Sequence, residues 1–291
     1  MTTQHPQASG HGHHHPDQEH GHAHGHDDES GMAEILELDA LLLRDHLQEI
    51  FDWTAGHSRA PRTIVDLGAG TGTGTLGLAR TFPQADVVAV DQSEFMLDRL
   101  RNNVEQHQLA NRVSTVQADL DVAWPELADI DLVWAASSMH HMKDPARVFG
   151  EIRASLSPEG VLVVVEMDAL PRYLPSDLGI GAPGLEERCH QLVATAGWNS
   201  HPDWQVDLEA AGFTVSGRQG FDYSRDDDPQ LVARTAYTFL SRMRTGLAEE
   251  LSPEDLETLD QLLDLDGRHG LNARTDLSMR GSRTVWAARP R

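Results

Sequence analysis

Val65-Asp66-Leu67-Gly68-Ala69-Gly70-Thr71-Gly72-Thr73-Gly74 reads as a strand that breaks into a glycine turn and opens a helix. Thr63 to Leu67 supplies the apolar strand, and Thr75-Leu76-Gly77-Leu78-Ala79-Arg80 resumes with helical spacing. Glycines in such a turn let the backbone enter positive φ and let a ligand approach where a Cβ would clash. The free amides of the following helix then face that ligand. The stretch predicts a nucleotide-type cofactor site at the end of the first strand.

The register of the glycines narrows the choice of cofactor. A dinucleotide turn, G-x-G-x-x-G, begins directly at the strand end. Counting from Gly68 or Gly70 puts Thr73 or Thr75 at the sixth position, and the formal match from Gly72 to Gly77 falls inside the expected helix. What fits is Asp66-x-Gly68-x-Gly70-x-Gly72, an acid at the strand end followed by alternating glycines. This resembles motif I of the class I S-adenosylmethionine-dependent methyltransferases. The implied cofactor carries an amino acid head, a sulfonium, a ribose and an adenine. A carboxylate at Asp66 suits its ammonium end, and helix amides suit its carboxylate.

The downstream sequence extends the pattern. Asp86 to Val90 is a short apolar strand ending in Asp91, nineteen residues after Gly72, where a carboxylate can accept ribose hydroxyls. Ser93 is the expected N-cap of an amphipathic helix to His107, with Phe95, Met96, Leu100 and Val104 on its buried side. Arg112 to Ala118 reads as a third strand closing on Asp119; the resemblance implies that this acid takes the adenine amino group, with the Leu120 amide on a ring nitrogen. A fourth strand, Ile130 to Ala135, runs into Ala136-Ser137-Ser138-Met139-His140-His141-Met142-Lys143-Asp144-Pro145. A helix from about Pro145 leads to the turn Leu156-Ser157-Pro158-Glu159-Gly160 and a fifth strand to Glu166. The His-His-x-x-Asp-Pro segment and the Leu-x-Pro-x-Gly turn are similar to the small-molecule branch related to ubiquinone and menaquinone biosynthesis methyltransferases. The resemblance covers residues 62 to 166. It implies a cofactor set of Asp66, Gly68, Ala69, Gly70, Gly72, Asp91, Gln92, Met96, Asp119, Leu120, Ala135 and Ser137.

Strands alternating with helices imply an α/β fold, a doubly wound Rossmann-like sheet with ligands at its carboxyl edge. Asp203 to Gly212 reads as a helix with a glycine stop, and Phe213 to Phe221 as a sixth strand. Arg283 to Arg289 reads as a seventh strand, which the resemblance places antiparallel between the fifth and sixth. Helical insertions are expected at about 169–202 and 229–266, the latter with helices Pro229 to Thr245 and Ser252 to Leu265. The methyltransferase domain is expected to span 61–291, behind a capping helix at 32–60.

At 291 residues and 39% hydrophobic content, the chain can bury a full core. Its most apolar early segment, Ile35 to Trp53, is interrupted by Glu37, Asp39, Arg44, Asp45 and Glu49, so it reads as an amphipathic cap, not a membrane span. No charged leader with a cleavage site is seen, and Cys189 has no second cysteine to pair with, so a cytoplasmic location is expected. The formal charge of −23 repels phosphate backbones, leaving small molecules as the expected partners and nucleic acid excluded. The 229–266 insertion is a candidate acceptor wall or homodimer contact.

Residues 1–31 stand apart: nine histidines among Gly, Pro, Asp and Glu, with too little apolar surface to order themselves. His11, His13 and His15, and again His20, His22, His24 and His26, alternate, so an extended backbone puts each set on one side. Such tracts bind zinc, nickel or copper; the plain alternative is a solvated tail. Methyl transfer does not require the metal.

Methyl transfer is an in-line displacement at the sulfonium methyl, so holding the acceptor in line supplies most of the acceleration. A base is needed only where the acceptor must lose a proton. His140 and His141 follow the fourth strand, and an imidazole titrates in the right range. On an extended segment one of the two faces away, and His140 is expected to face the acceptor; packing in the wall is the competing role. A histidine base favours an oxygen acceptor over nitrogen or carbon. Tyr173, His190 and Trp198, with His201 and Trp204, are candidates to line the acceptor pocket in the long segment after the fifth strand. A second reading remains open: a metal-responsive binding protein that uses this fold without turnover.

Overall fold

Strands β1 (Thr63–Leu67), β2 (Asp86–Asp91), β3 (Val113–Gln117), β4 (Ile130–Ala136) and β5 (Leu156–Met167) run parallel in one sheet. This is a computed structural model, which describes residues 21–195 and 202–291, with side chains from residue 29 onward. β6 (Phe213–Arg225) and β7 (Met279–Pro290) complete the sheet in the order β3-β2-β1-β4-β5-β7-β6, with β7 antiparallel to both its neighbours. The chain order reverses between β1 and β4, which opens the crevice where ligands bind in such sheets.

Alternation along the strands divides the core into two layers. Ile64, Leu132, Val163 and Val285 point to one face, against Ile50 and Phe51 of α2 (Arg44–His57) and Leu78 and Ala79 of α3 (Thr73–Thr81). Val65, Val133, Leu162 and Trp286 point to the other, against Val148, Phe149 and Ile152 of α5 (Pro145–Ser155) and Leu208 of α7 (Gln205–Ala210). A third cluster joins the insertions to the N-terminal helices: Leu42 of α1 (Gly21–Leu42), Cys189 of α6 (Leu185–Thr195), Leu240 of α8 (Pro229–Gly246) and Leu259 of α9 (Pro253–Leu263) share it. Burial pushes the Cys189 thiol up to about 11.

Helix starts follow the capping residues. Ser93 accepts the Met96 N–H at 3.2 Å at the head of α4 (Glu94–Gln106), and Ser252 accepts the Asp255 N–H at 3.1 Å before α9. The boundaries differ in places from expectation. β5 begins at Leu156, before the turn residue Gly160, because Leu156 already pairs with Ile130 across an irregular register. The N-terminal cap is two helices broken at Leu43, and α1 starts at Gly21, inside the segment expected to be disordered. Ala33, Leu38 and Leu42 are buried and anchor α1, and a helix once nucleated extends at little cost. Among the described residues no helix is long and apolar enough to cross a membrane.

Candidate functional site

The glycine turn after β1 is built as its spacing demands. Gly68, Gly70 and Gly72 have φ of 67°, 52° and 94°, and a Cβ on Gly68 would lie 2.4 Å from the Ser138 Cβ. No L side chain is accommodated there without displacing the β4 loop. Gly68 and Ala69 donate their N–H groups to the Val90 carbonyl at 2.8 and 3.1 Å, lacing the turn to β2. One residue on, Asp91 accepts the Gly70 N–H on Oδ2 at 2.8 Å and the Ser93 N–H on Oδ1 at 2.9 Å. A carboxylate gripped by two amides has a fixed orientation.

Asp66 lies beneath the turn and is buried. Burial lifts its carboxyl to about 7, opposed by a 2.6 Å hydrogen bond from the Thr75 hydroxyl and reinforced by the charge of Asp91. Asp119 is exposed past the end of β3 and accepts the Asp121 N–H at 2.9 Å.

These groups open on one cavity of about 420 Å³, within the range of small-molecule sites. It is lined by Asp66, Gly68, Ala69, Gly70, Asp91, Gln92, Met96, Asp119, Leu120 and Ser137 of the expected set. Gly72 and Ala135 do not line it. Gly72 caps α3, where a Cβ would come 2.7 Å from Leu100 Cγ, and Ala135 points into the core on the α5 side, so that Ala136 faces the cavity instead. Trp134 Nε1 and Ser138 Oγ are buried without a partner, and both residues line the cavity. The cavity therefore offers unsatisfied polar atoms beside a glycine cradle and the carboxylates of Asp66, Asp91 and Asp119.

Met139–His141 forms one turn of 3-10 helix, not an extended segment, so the two imidazoles lie beside each other and do not point to opposite faces. His140 turns inward: its Nδ1 is 2.8 Å from Glu166 Oε2, with both side chains 2% exposed. Trp204 Nε1 donates to the same oxygen at 3.3 Å, and the Met167 N–H to Oε1 at 3.0 Å. His141 faces the cavity, so the expected preference for His140 is reversed. Desolvation and the neighbouring His140, whose ring centroid is 4.0 Å away, hold the His141 pKa below the ordinary histidine value against the pull of Glu166.

Residues 64–160 match a family model described as a methyltransferase domain. That third of the chain is thus similar to a methyltransferase domain. A trans-aconitate 2-methyltransferase of Acidovorax sp. (strain JS42) is 37% identical over 156 residues, covering 54% of each chain. A malonyl-[acyl-carrier protein] O-methyltransferase of Methylovorus sp. (strain MP688) is 31% identical over 127 residues, 43% of each chain. The chain thus spans about half the length of the curated relatives it matches. Among solved structures, the YcgJ protein of Bacillus subtilis superposes with a TM-score of 0.51 at 16% identity, covering 85% of this chain and 99% of that one; this likeness is one of fold.

The residues expected to line an acceptor pocket are placed differently by the fold. Tyr173 is buried beside Phe239, ring centroids 5.5 Å apart, and does not reach the cavity; burial raises its hydroxyl pKa well above the usual value. His190 on α6 does not line the cavity either, and Trp198 and His201 lie outside the described residues. Trp204 packs on Phe149 in the core. The long loop after β5 instead supports the insertion core through Tyr173 and Leu174, whose N–H groups reach Glu186 at 2.7 and 3.2 Å. The cavity roof comes from Met32, Leu36 and Asp39 of α1 and Leu47 and Phe51 of α2, and one wall from Arg283 of β7. The amphipathic pattern of Ile35 to Trp53 announced a cap, but nothing in it marks which residues meet a ligand. Among the described residues no group of three or more His, Cys, Asp or Glu side chains could hold a metal ion. His11, His13, His15 and His20 lie outside the described residues, as do the side chains of His22, His24 and His26 in α1.

Proposed function

We propose that the chain transfers a methyl group from S-adenosylmethionine to an oxygen of a small organic acceptor. The observation that carries this reading is the convergence of Asp66, Asp91 and Asp119, from three successive strand ends, on one cavity beside the glycine turn. S-adenosylmethionine supplies an electrophilic methyl on its sulfonium when bound. Asp91, oriented by the Gly70 and Ser93 amides, is the residue suited to the ribose hydroxyls. Asp66 suits the ammonium end and Asp119 the adenine amino group.

His141 is the imidazole on the cavity wall, its pKa lowered by desolvation and by His140, and it orients the accepting oxygen and takes a proton from it where one is present. Glu166 fixes His140, which in turn shapes the setting of His141. The relatives named for trans-aconitate and for O-methylation support a small acceptor and an oxygen atom. The catalytic unit in this reading is 61–291, roofed by 32–60.

Calorimetry with S-adenosylmethionine tests it. Asp91→Ala should weaken binding by at least about tenfold, the loss expected of hydrogen bonds to a charged group. No heat from the wild type, or equal affinity in the variant, refutes the assignment.

A further inference from the structure

One wall of the cavity carries a charge that the methyl donor does not explain. Arg283 lines the cavity, yet its side chain is only 7% exposed. Its Nη2 donates to Asp39 Oδ2 at 2.6 Å, while its Nε is buried without a partner. The guanidinium lies 5.9 Å from the centre of the Tyr223 ring, whose buried hydroxyl also lacks a partner. His46 of α2 stacks edgewise on Tyr223 at 4.9 Å, and neither of its ring nitrogens is hydrogen-bonded. Buried polar atoms are almost always paired, and three neighbouring side chains with unpaired ones are a departure; of the three, Arg283 lines the cavity, and Tyr223 and His46 pack behind it. The other ionisable side chains lining this cavity are carboxylates, apart from His141. Arg283 is thus the cationic anchor in an acidic chamber.

We propose that Arg283, backed by Tyr223 and His46, is the acceptor-anchoring subsite, and that the acceptor carries a carboxylate which the guanidinium holds. The proposal rests on the methyl-transfer reading and names the acceptor class of that site. A guanidinium presents five donors in a planar fork matched to a carboxylate, and Asp39 uses one of them. Asp39 sits on the roof helix α1, so it acts as an internal stand-in that the incoming carboxylate displaces or joins. The planar fork pairs two donors with the two oxygens of one carboxylate, whereas a phosphate would set two negative charges at that one point, beside the carboxylates of the lining. Burial and the charge of Arg283 lower the His46 pKa to about 4, so His46 stays neutral and adds no second cation. Arg283 is a specificity-determining residue in this view: it grips a part of the acceptor remote from the methyl group.

The test uses the full chain loaded with S-adenosylhomocysteine, titrated calorimetrically with trans-aconitate, citrate, acetate and inorganic phosphate. Arg283→Gln should weaken the carboxylates about 10- to 100-fold, as loss of a charged hydrogen-bond partner does, with the affinity for S-adenosylhomocysteine unchanged. Asp39→Asn should tighten them several-fold, because it removes the competing carboxylate. A purely structural ion pair predicts the opposite: both replacements loosen the roof and weaken every ligand alike, which would overturn the proposal. Should Arg283→Gln fail to fold, the Asp39→Asn arm still decides. So does the trimethyl ester of trans-aconitate on the wild type, which must not compete with the free acid. Preference for phosphate, or no carboxylate binding to a wild type that does bind S-adenosylhomocysteine, sinks the subsite and leaves the methyl-donor reading standing. Failure of S-adenosylhomocysteine itself to bind sinks that reading instead.

Discussion

Replacing Asp66 with Asn puts the electrostatics of the strand end to a quantitative test. Burial holds the carboxyl near 7, whereas the unfolded chain ionises it near 3.8. Between these values the native state binds the extra proton, so the stability this group contributes is full below about pH 4 and is lost as the pH rises through 7. At about 1.4 kcal/mol per decade the whole loss is roughly 4 kcal/mol, of which roughly 3 kcal/mol falls between pH 5 and pH 8. Asn cannot ionise, and its side-chain oxygen still accepts the Thr75 hydroxyl. Urea unfolding of both proteins at the two pH values should therefore show the variant gaining roughly 3 kcal/mol on the wild type at the higher one. His46, lowered to about 4, works in the other direction between its native pKa and 6.5, but it is common to both proteins and cancels in the difference. A difference that stays within about 0.5 kcal/mol across this range would refute the claim that burial keeps Asp66 protonated.

Two further outcomes follow from the geometry. His141→Ala should lower kcat by about 100-fold while leaving the affinity for S-adenosylmethionine within twofold; recovery at high pH would mark proton removal, and an unchanged kcat would remove His141 from the reaction. Gly77→Ala should cost about 1–3 kcal/mol despite the better helix propensity of Ala, because the added Cβ would meet the Phe51 ring at 2.1 Å, and that ring is trapped against Trp134 at 5.2 Å; thermal unfolding that shows equal or greater stability would contradict the packing described.

The glycine-turn half of the cavity was legible because its pattern is local in sequence. Asp66, Asp91 and Asp119 each follow a short apolar strand, and the glycine register states where the backbone must turn. Gly72 and Ala135 show the limit of such reading. Both belong to the right segments, but a turn or a strand pleat points them away, and only the packed partners Leu100 and the α5 face decide that. The histidine pair failed on the same ground: one turn of 3-10 helix exchanges inward and outward, and Glu166, the partner that draws His140 in, lies on the next strand. Arg283 was invisible as a cavity residue, since its counter-ion Asp39 sits on α1 at the other end of the chain and only the tertiary packing brings them together. Tyr173 attracted attention by type, yet the insertions need a core of their own and bury it there.

The placement of β7 bears on how the molecule is made. A strand that pairs antiparallel with β5 on one side and β6 on the other cannot dock until both are formed, and it comes after the α8 and α9 insertion in chain order. During synthesis β5 therefore waits with one open edge, while β6 has no sheet to join. The β5–β7 pairing joins residues as far apart in sequence as Leu162 and Ala288, and such contacts form slowly. Arg283 arrives with that same strand, so the parallel half and its glycine cradle are synthesised before the wall opposite them. A nascent chain halted between β6 and β7 should thus hold the cofactor side in near-final form while presenting apolar strand edges to chaperones.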